Sequence, residues 1–175
     1  MDYKEIRESY DSLYREFFTP LFRYFFFRTK NNETSKDLTQ GVFLKFLNQG
    51  YKEREREYNT RLLFTIARTS LIDFYRKSSR KMEESLDAKE NEFPSEEPDP
   101  EIVFESKEKV LLVQEVLKTL SPPEEEIVIL RVTTDMSYKE MAKVLELKED
   151  NIRQIYSRAL KKMKDYMDDK QISYE

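Results

Sequence analysis

The sequence predicts an all-α protein, built as two small helical domains joined by an acidic linker. Three observations lead there. Charged residues make up 38% of the 175, yet the chain holds only 2 glycines and 6 prolines. That composition favours helices over sheets, whose hairpin turns usually need glycine. Apolar residues recur at three- and four-residue intervals along two separate blocks. Between the blocks, residues 82–109 are acidic and carry three prolines with little apolar periodicity.

Ile6, Tyr10, Leu13, Tyr14 and Phe17 stand at helical spacing with charges between them, which predicts a first helix. Thr19 followed by Pro20 reads as an N-cap and a first helical position, opening a second, aromatic-rich helix through Leu21–Arg28. TKNNETS is a polar break after which Ser35 is placed to cap a third helix carrying Leu38, Val42, Phe43, Phe46 and Leu47. Asn48–Asn59 reads as a charged loop. A fourth helix follows, with Leu63, Ile66, Ala67, Ser70, Leu71 and Phe74 on one face. Domain one is thus 1–81.

The 82–109 segment is expected to be an extended, self-repelling linker. Beyond it, in domain two (110–175), Val110, Val113, Val116 and Leu117 mark a helix ending near Leu120. LSPPEEE starts the next one: Ser121 as cap, proline in the first turn, and acids where the helix dipole favours them. Ser137 with Glu140 forms a further capping box ahead of Met141, Ala142, Val144 and Leu145. A short turn at Glu146–Lys148 leads to a last helix. There Ile152, Ile155, Tyr156, Ala159, Leu160, Met163 and Met167 form one apolar stripe.

The chemistry of the chain is as telling for what it lacks. No cysteine and no histidine occur, which removes disulfides, thiolate sites, the usual general base and the commonest metal ligand. No catalytic residue, metal or cofactor is expected, although carboxylate sites for magnesium are not excluded by composition. The longest aromatic run, in LFRYFFFR, falls far short of a bilayer span, and MDYKEIRESYD lacks the apolar core of a signal peptide. The expectation is a soluble, cytoplasmic protein with no membrane insertion.

The last two helices fit a helix-turn-helix whose second helix exposes Asn151, Arg153, Gln154, Ser157 and Arg158. Arginine can bridge a guanine edge, and asparagine or glutamine an adenine edge. Lys161, Lys162 and Lys164 follow where phosphates would be neutralised. An ordinary solvated basic face is the bland alternative. The segment Arg61–Lys81 poses a related question, because the whole chain has a net charge of -4. It gathers Arg61, Arg68, Arg76, Lys77, Arg80 and Lys81 against the single acid Asp73. The dipole at a helix C-terminus accounts for one or two of these cations. The rest point to an anionic partner, with Phe64, Phe74 and Tyr75 either stacking on unpaired bases or packed in the core.

Taken together, these blocks resemble an extracytoplasmic-function (ECF) sigma factor, a subunit that directs bacterial RNA polymerase to promoters. LFRYFFFRTKNNETSKDLTQGVFLKFL and LFTIARTSLIDFYRK resemble the family's second region, with its D-L-x-Q-x-V-F and I-A-R-x-x-x-I-D-x-x-R helices. LSPPEEEIVILRVTTDMSYKEMAKVLELKEDNIRQIYSRALKKMK resembles the fourth, with its L-x-P-x-E opening and S-Y-x-E-[IM]-A helix. Each motif alone is weak; the two in order and at this spacing are specific.

The resemblance implies partners and sites. Asp37, Leu38, Gln40, Val42 and Phe43 match the helix that docks on core polymerase. The loop Asn48–Asn59 matches the one that captures a flipped minus-ten base. Arg68, Thr69, Phe74, Arg76, Lys77 and Arg80 match the helix along the melted minus-ten strand. Lys148, Asn151, Arg153, Gln154, Ser157, Arg158, Lys161 and Lys162 would contact the minus-thirty-five element. An anti-sigma factor is a further possible partner, and the linker would run through polymerase near its nucleic acids. The chain departs from the family pattern at several points. Gly41 replaces an acid, Thr69 an asparagine, and Ile155 a frequent arginine; no glycine marks the helix-turn-helix turn, and Lys148 replaces a capping serine.

Two other functions compete. A stand-alone regulator would use the helix-turn-helix on duplex DNA but would not need the D-L-x-Q helix. A carboxylate–magnesium nuclease would need acids in a compact motif, whereas most lie in the linker or in helix first turns.

Overall fold

The computed structural model describes residues 3–49, 55–84 and 107–172, all helical apart from short turns. The chain divides into two compact units, Met1–Pro98 and Asp99–Glu175. In the first, α1 (Tyr3–Thr29), α2 (Asn32–Asn48) and α3 (Arg56–Glu84) pack on one another. In the second, α4 (Lys107–Leu117), α5 (Pro122–Thr133) and α6 (Tyr138–Leu145) each pack on α7 (Glu149–Asp169). Residues 85–106 of the expected linker and 50–54 of the expected loop lie outside the described residues, as do the side chains of Ile6 and Lys81. At both edges the helices run further than expected: α3 continues through Glu84, and α4 already starts at Lys107.

Pro20 starts no helix; it lies inside the continuous α1. A proline there forfeits one backbone hydrogen bond and costs about 3 kcal/mol. Packing overrides it. The rings of Tyr14, Phe18, Phe22 and Phe26 follow one another one turn apart across the proline, with centroid separations of 5.4, 6.3 and 6.0 Å. Leu13 and Phe17 before it, and Leu21, Phe22, Tyr24, Phe25, Phe26 and Phe27 after it, are buried. Breaking the helix at Thr19 would tear this face in two.

Ser35 is likewise not a cap. Asn31 caps α2, its side-chain oxygen accepting from the Thr34 amide at 2.7 Å. Ser35 is buried, its hydroxyl 2.9 Å from that of Thr29 and donating to the Asn31 carbonyl at 2.6 Å. The reversal from α1 to α2 takes only Lys30 and Asn31, and Lys30 adopts a left-handed φ of 55° to make it.

Phe43 and Phe64 close the core of the first unit from α2 and α3. Phe43 lies 4.6 Å from Tyr14, and Phe64 meets Tyr24 edge-on at 5.7 Å. Phe64 is therefore core and unavailable to bases. The expected loop 48–59 is shortened from both ends, because Asn48 ends α2 and Arg56–Asn59 form the first turn of α3.

In the second unit the start signals fall where the sequence puts them. Ser121 precedes α5, and Ser137 precedes α6 with its hydroxyl accepting from the Glu140 amide at 3.3 Å. Ile152, Ile155 and Ala159 of α7 are buried against the unit's other helices, with Tyr156, Met163 and Met167 half-buried. Leu160 departs from the expected stripe: it is 45% exposed, since it follows Ala159 by one residue and points to the flank.

Candidate nucleic-acid interface

In the first unit the cations of α3 divide by what they touch. Arg56, in the first turn, pairs with Glu16 and lies 5.9 Å from the Phe17 ring, which ties α3 to α1. Arg61 lies 5.3 Å from the Tyr58 ring one turn earlier. Arg68 is half-buried. Arg76, Lys77 and Arg80 are exposed, and Arg76 lies 3.6 Å from Asp73, between half-exposed side chains. Such a pair contributes little in water. The far half of α3 therefore presents cations that an anionic partner can take up.

Two aromatic side chains beside those cations are less free. The Tyr75 hydroxyl donates to the Arg28 carbonyl at 2.6 Å, satisfying a backbone acceptor in the last turn of α1. Phe74 is half-buried and edge-on to the Tyr75 ring at 5.5 Å. Their packing fixes where α3 leaves the bundle.

Between the end of α2 and the middle of α3 lies a cleft of about 440 Å³, lined by Lys45, Asn48, Gln49, Leu62, Thr65, Ile66 and Thr69. Lys45 Nζ donates to the buried Ser70 hydroxyl at 2.9 Å. The Thr65 and Thr69 hydroxyls donate to the carbonyls four residues back, at 2.8 and 3.0 Å. Their donor capacity is spent on their own helix. Thr69 is exposed at the cleft.

On α2, Asp37 and Gln40 are exposed and Leu38 half-buried, whereas Val42 and Phe43 are buried. Val42 and Phe43 thus lie beneath the surface and shape it from below. Sequence reasoning missed Leu44, which is 62% exposed on the face of Asp37 and Gln40. The signal was present, for Leu44 falls out of phase with the buried Thr39, Val42, Phe43 and Phe46.

The second unit holds the helix-turn-helix, α6 and α7. With no glycine in the turn, Glu146 takes the left-handed conformation (φ 56°), and the Leu147 amide reaches the Ala142 carbonyl at 3.0 Å. Lys148 occupies the N-cap of α7 without any side-chain cap bond. Asn151, Gln154, Ser157, Arg158 and Lys161 are exposed along α7. Two predicted contacts are already engaged. Lys162 Nζ lies 2.8 Å from Glu124 Oε2, tying α7 to the start of α5. The same carboxylate accepts from the Ser121 amide and hydroxyl, each at 2.9 Å. The Lys162 ammonium and then the Ser121 amide hold Glu124 far below the usual carboxylate range, at about 2.

Arg153 is the other. Its guanidinium pairs with Glu149 one turn earlier and lies 4.6 Å from the ring of Tyr138 on α6. Arg131 of α5 lies 5.2 Å from the same ring and donates to the Met136 carbonyl at 2.6 Å. Tyr156 approaches Tyr138 with centroids 6.0 Å apart. Each guanidinium–ring contact contributes about 0.5–1 kcal/mol at an exposed site.

An all-helical pair of units, one of them a helix-turn-helix with a polar and basic outer face, defines a class of DNA-binding transcription proteins. Residues 111–163 match the family model for sigma-70, region 4. The chain is 30% identical over 139 residues to RNA polymerase sigma factor YlaC of Bacillus subtilis, covering 79% of this chain and 80% of that one. It is 29% identical over 160 residues to the ECF sigma factor BldN of Streptomyces coelicolor, covering 88% and 58%. To the ECF sigma factor SigX of Bacillus subtilis it is 24% identical over 166 residues, covering 93% and 86%. Its fold is also that of the sigma factor RpoE of Bartonella quintana, solved with the anti-sigma factor NepR. That match has a TM-score of 0.62 at 18% identity and covers 90% of this chain and 97% of that one. The chain belongs to the ECF class of the sigma-70 family, the factors that direct core RNA polymerase to promoters. Among the described residues, no helix is long and apolar enough to cross a membrane.

Proposed function

We propose a division of labour between the units. The outer face of α7, made by Asn151, Gln154, Ser157, Arg158 and Lys161, engages the minus-thirty-five element. The far half of α3, with Arg76, Lys77 and Arg80, holds the phosphates of the melted minus-ten strand, and Arg68 and Thr69 lie nearer the bases. The exposed face of α2, with Asp37, Leu38, Gln40 and Leu44, docks on core polymerase. The chain acts by binding, in the cytoplasm where polymerase works, and aids strand opening without a catalytic residue or cofactor. The solved RpoE–NepR complex supports a further partner of the same kind, an anti-sigma factor that withholds this chain from polymerase.

The observation that carries this reading is the exposed polar and basic face of α7 inside the segment that matches region 4. Run-off transcription by core enzyme plus this chain, on a randomised promoter library, tests it. Transcripts that depend on both components and share two spaced elements are the expected result. A sequence-specific shift by the isolated chain, with no transcription upon adding core, would favour the stand-alone regulator instead.

A further inference from the structure

Arg153 has the chemistry of a base reader and a position near the start of α7, yet its side chain is occupied. The guanidinium reaches back over the Tyr138 ring of α6 at 4.6 Å, while its side chain stays 54% exposed. Glu149 pairs with it from the preceding turn, a half-exposed pair that adds little beside the ring contact. Tyr138 in turn carries Arg131 of α5 at 5.2 Å and has Tyr156 of α7 at its side. Arg131 is itself fixed by the Met136 carbonyl in the loop ahead of α6. One tyrosine ring, at the start of α6, thus gathers side chains from α5 and α7.

Electrostatics point the same way. Glu149 and Asp150 put two carboxylates in the first turn of α7, on the end that a helix-turn-helix turns toward DNA. With Arg153 in place, one of those charges is neutralised. Were Arg153 to swing to a guanine, Glu149 would face the phosphates uncompensated and the Tyr138 contact would be lost. Among the described residues, Gln154, Ser157 and Arg158 enter no such ion pair or ring contact, and they are exposed as Arg153 is.

We propose that Arg153 is a positioning residue: braced on Tyr138 and paired with Glu149, it sets the pose of α7 while neighbouring residues read the bases. The inference rests on α7 being the minus-thirty-five helix. It makes Tyr138, which no base contact requires, a determinant of promoter affinity. It also moves base preference to Asn151, Gln154, Ser157 and Arg158.

The test uses the full chain with core polymerase, and promoters varied at each minus-thirty-five position around a sequence the parental holoenzyme selects. Arg153→Met should weaken binding by about two- to fivefold, as the loss of a guanidinium–ring contact implies, and Tyr138→Leu by at least as much. The loss should be uniform across the library, with the order of preference unchanged. The double variant should lose less than the sum of the two single losses, because both singles remove the Arg153–Tyr138 contact. Tyr138→Phe, which keeps the ring, should restore what Tyr138→Leu loses; circular dichroism establishes that each variant is folded. Gln154→Ala should reorder the preferred bases. If Arg153→Met instead relaxes the preference at one or two base pairs while Tyr138→Leu does not, Arg153 is a reader and the brace is overturned. Losses that simply add in the double variant overturn it as well. A parental holoenzyme indifferent to the minus-thirty-five sequence would overturn the assignment of α7 itself, an outcome that the library separates from failure of the brace alone.

Discussion

Gly41 sits in the interior of α2, where an added Cβ would meet no atom within 4 Å. Glycine there costs about 1 kcal/mol relative to alanine, and no close approach demands it. Gly41→Ala should raise stability by about 0.5–1 kcal/mol, read as a higher urea midpoint at unchanged slope. A lower midpoint would mean that the site is tighter than its geometry indicates. Glu146 presents the opposite case, an ordinary side chain held at φ 56°. Glu146→Gly should stabilise the free chain by about 1 kcal/mol by removing the left-handed penalty. The need for a left-handed residue here was legible from the short turn that joins α6 to α7. That a glutamate fills it shows the packing of α6 on α7 deciding the backbone over local preference. Leu44 was equally legible from its phase, but only once the buried side of α2 was known.

Among the elements, α5 and α7 are joined by an ion pair between Glu124 and Lys162, a lysine that the sequence led us to expect at DNA. Lys162 and Glu124 are 38 residues apart, and no periodicity reports a contact made by tertiary packing. Local signals were read well where they stood alone, as at Ser121 and Ser137. They failed where packing competed, as at Pro20 beneath an aromatic face and at Ser35 beside Thr29. The pair carries a pH dependence whose sign is fixed. Glu124 titrates at about 2 in the fold against an ordinary 4.5. The depressed value means that its contribution is fully present above the unfolded value, and is lost as pH falls from about 4.5 toward 2. Lys162→Met should be less stable than the parent at about pH 6, and the gap should narrow as pH is lowered toward about 3. Urea unfolding across that range checks it. A gap independent of pH would assign the lysine's effect to packing. In salt titrations of promoter binding by the holoenzyme, Lys161→Ala should lower the slope by about one unit. Lys162→Ala should change it less, because its ammonium already has a partner.

At the scale of the whole molecule, charge and exposure pull in different directions. The chain carries 35 acids against 31 bases, so its overall field repels DNA even while α3 and α7 each present a cationic face. Neutralising phosphates supplies most of the sequence-independent affinity for duplex. A chain whose acids outnumber its bases gains less from that source than a basic regulator does. Two short faces, each with a handful of exposed cations, would then need a third body to hold both on one promoter. On the proposed docking through α2, core polymerase would be that body, adding contacts and lifting the effective concentration of each face at its element. The isolated chain should therefore bind promoter duplex weakly and with little discrimination near physiological salt. The holoenzyme should bind the same duplex specifically. Asp37→Ala combined with Gln40→Ala should weaken competition for core against another sigma factor while helical content stays constant. In that double variant the promoter specificity of the residual holoenzyme should match the parent's, because neither residue lies on α3 or α7. Fluorescence anisotropy on labelled promoter, with and without core and over a series of salt concentrations, makes the comparison. Tight specific binding by the chain alone, in the range of about 10⁻⁸ M or better, would show that the helix-turn-helix unit suffices and that the acidic balance does not restrain it.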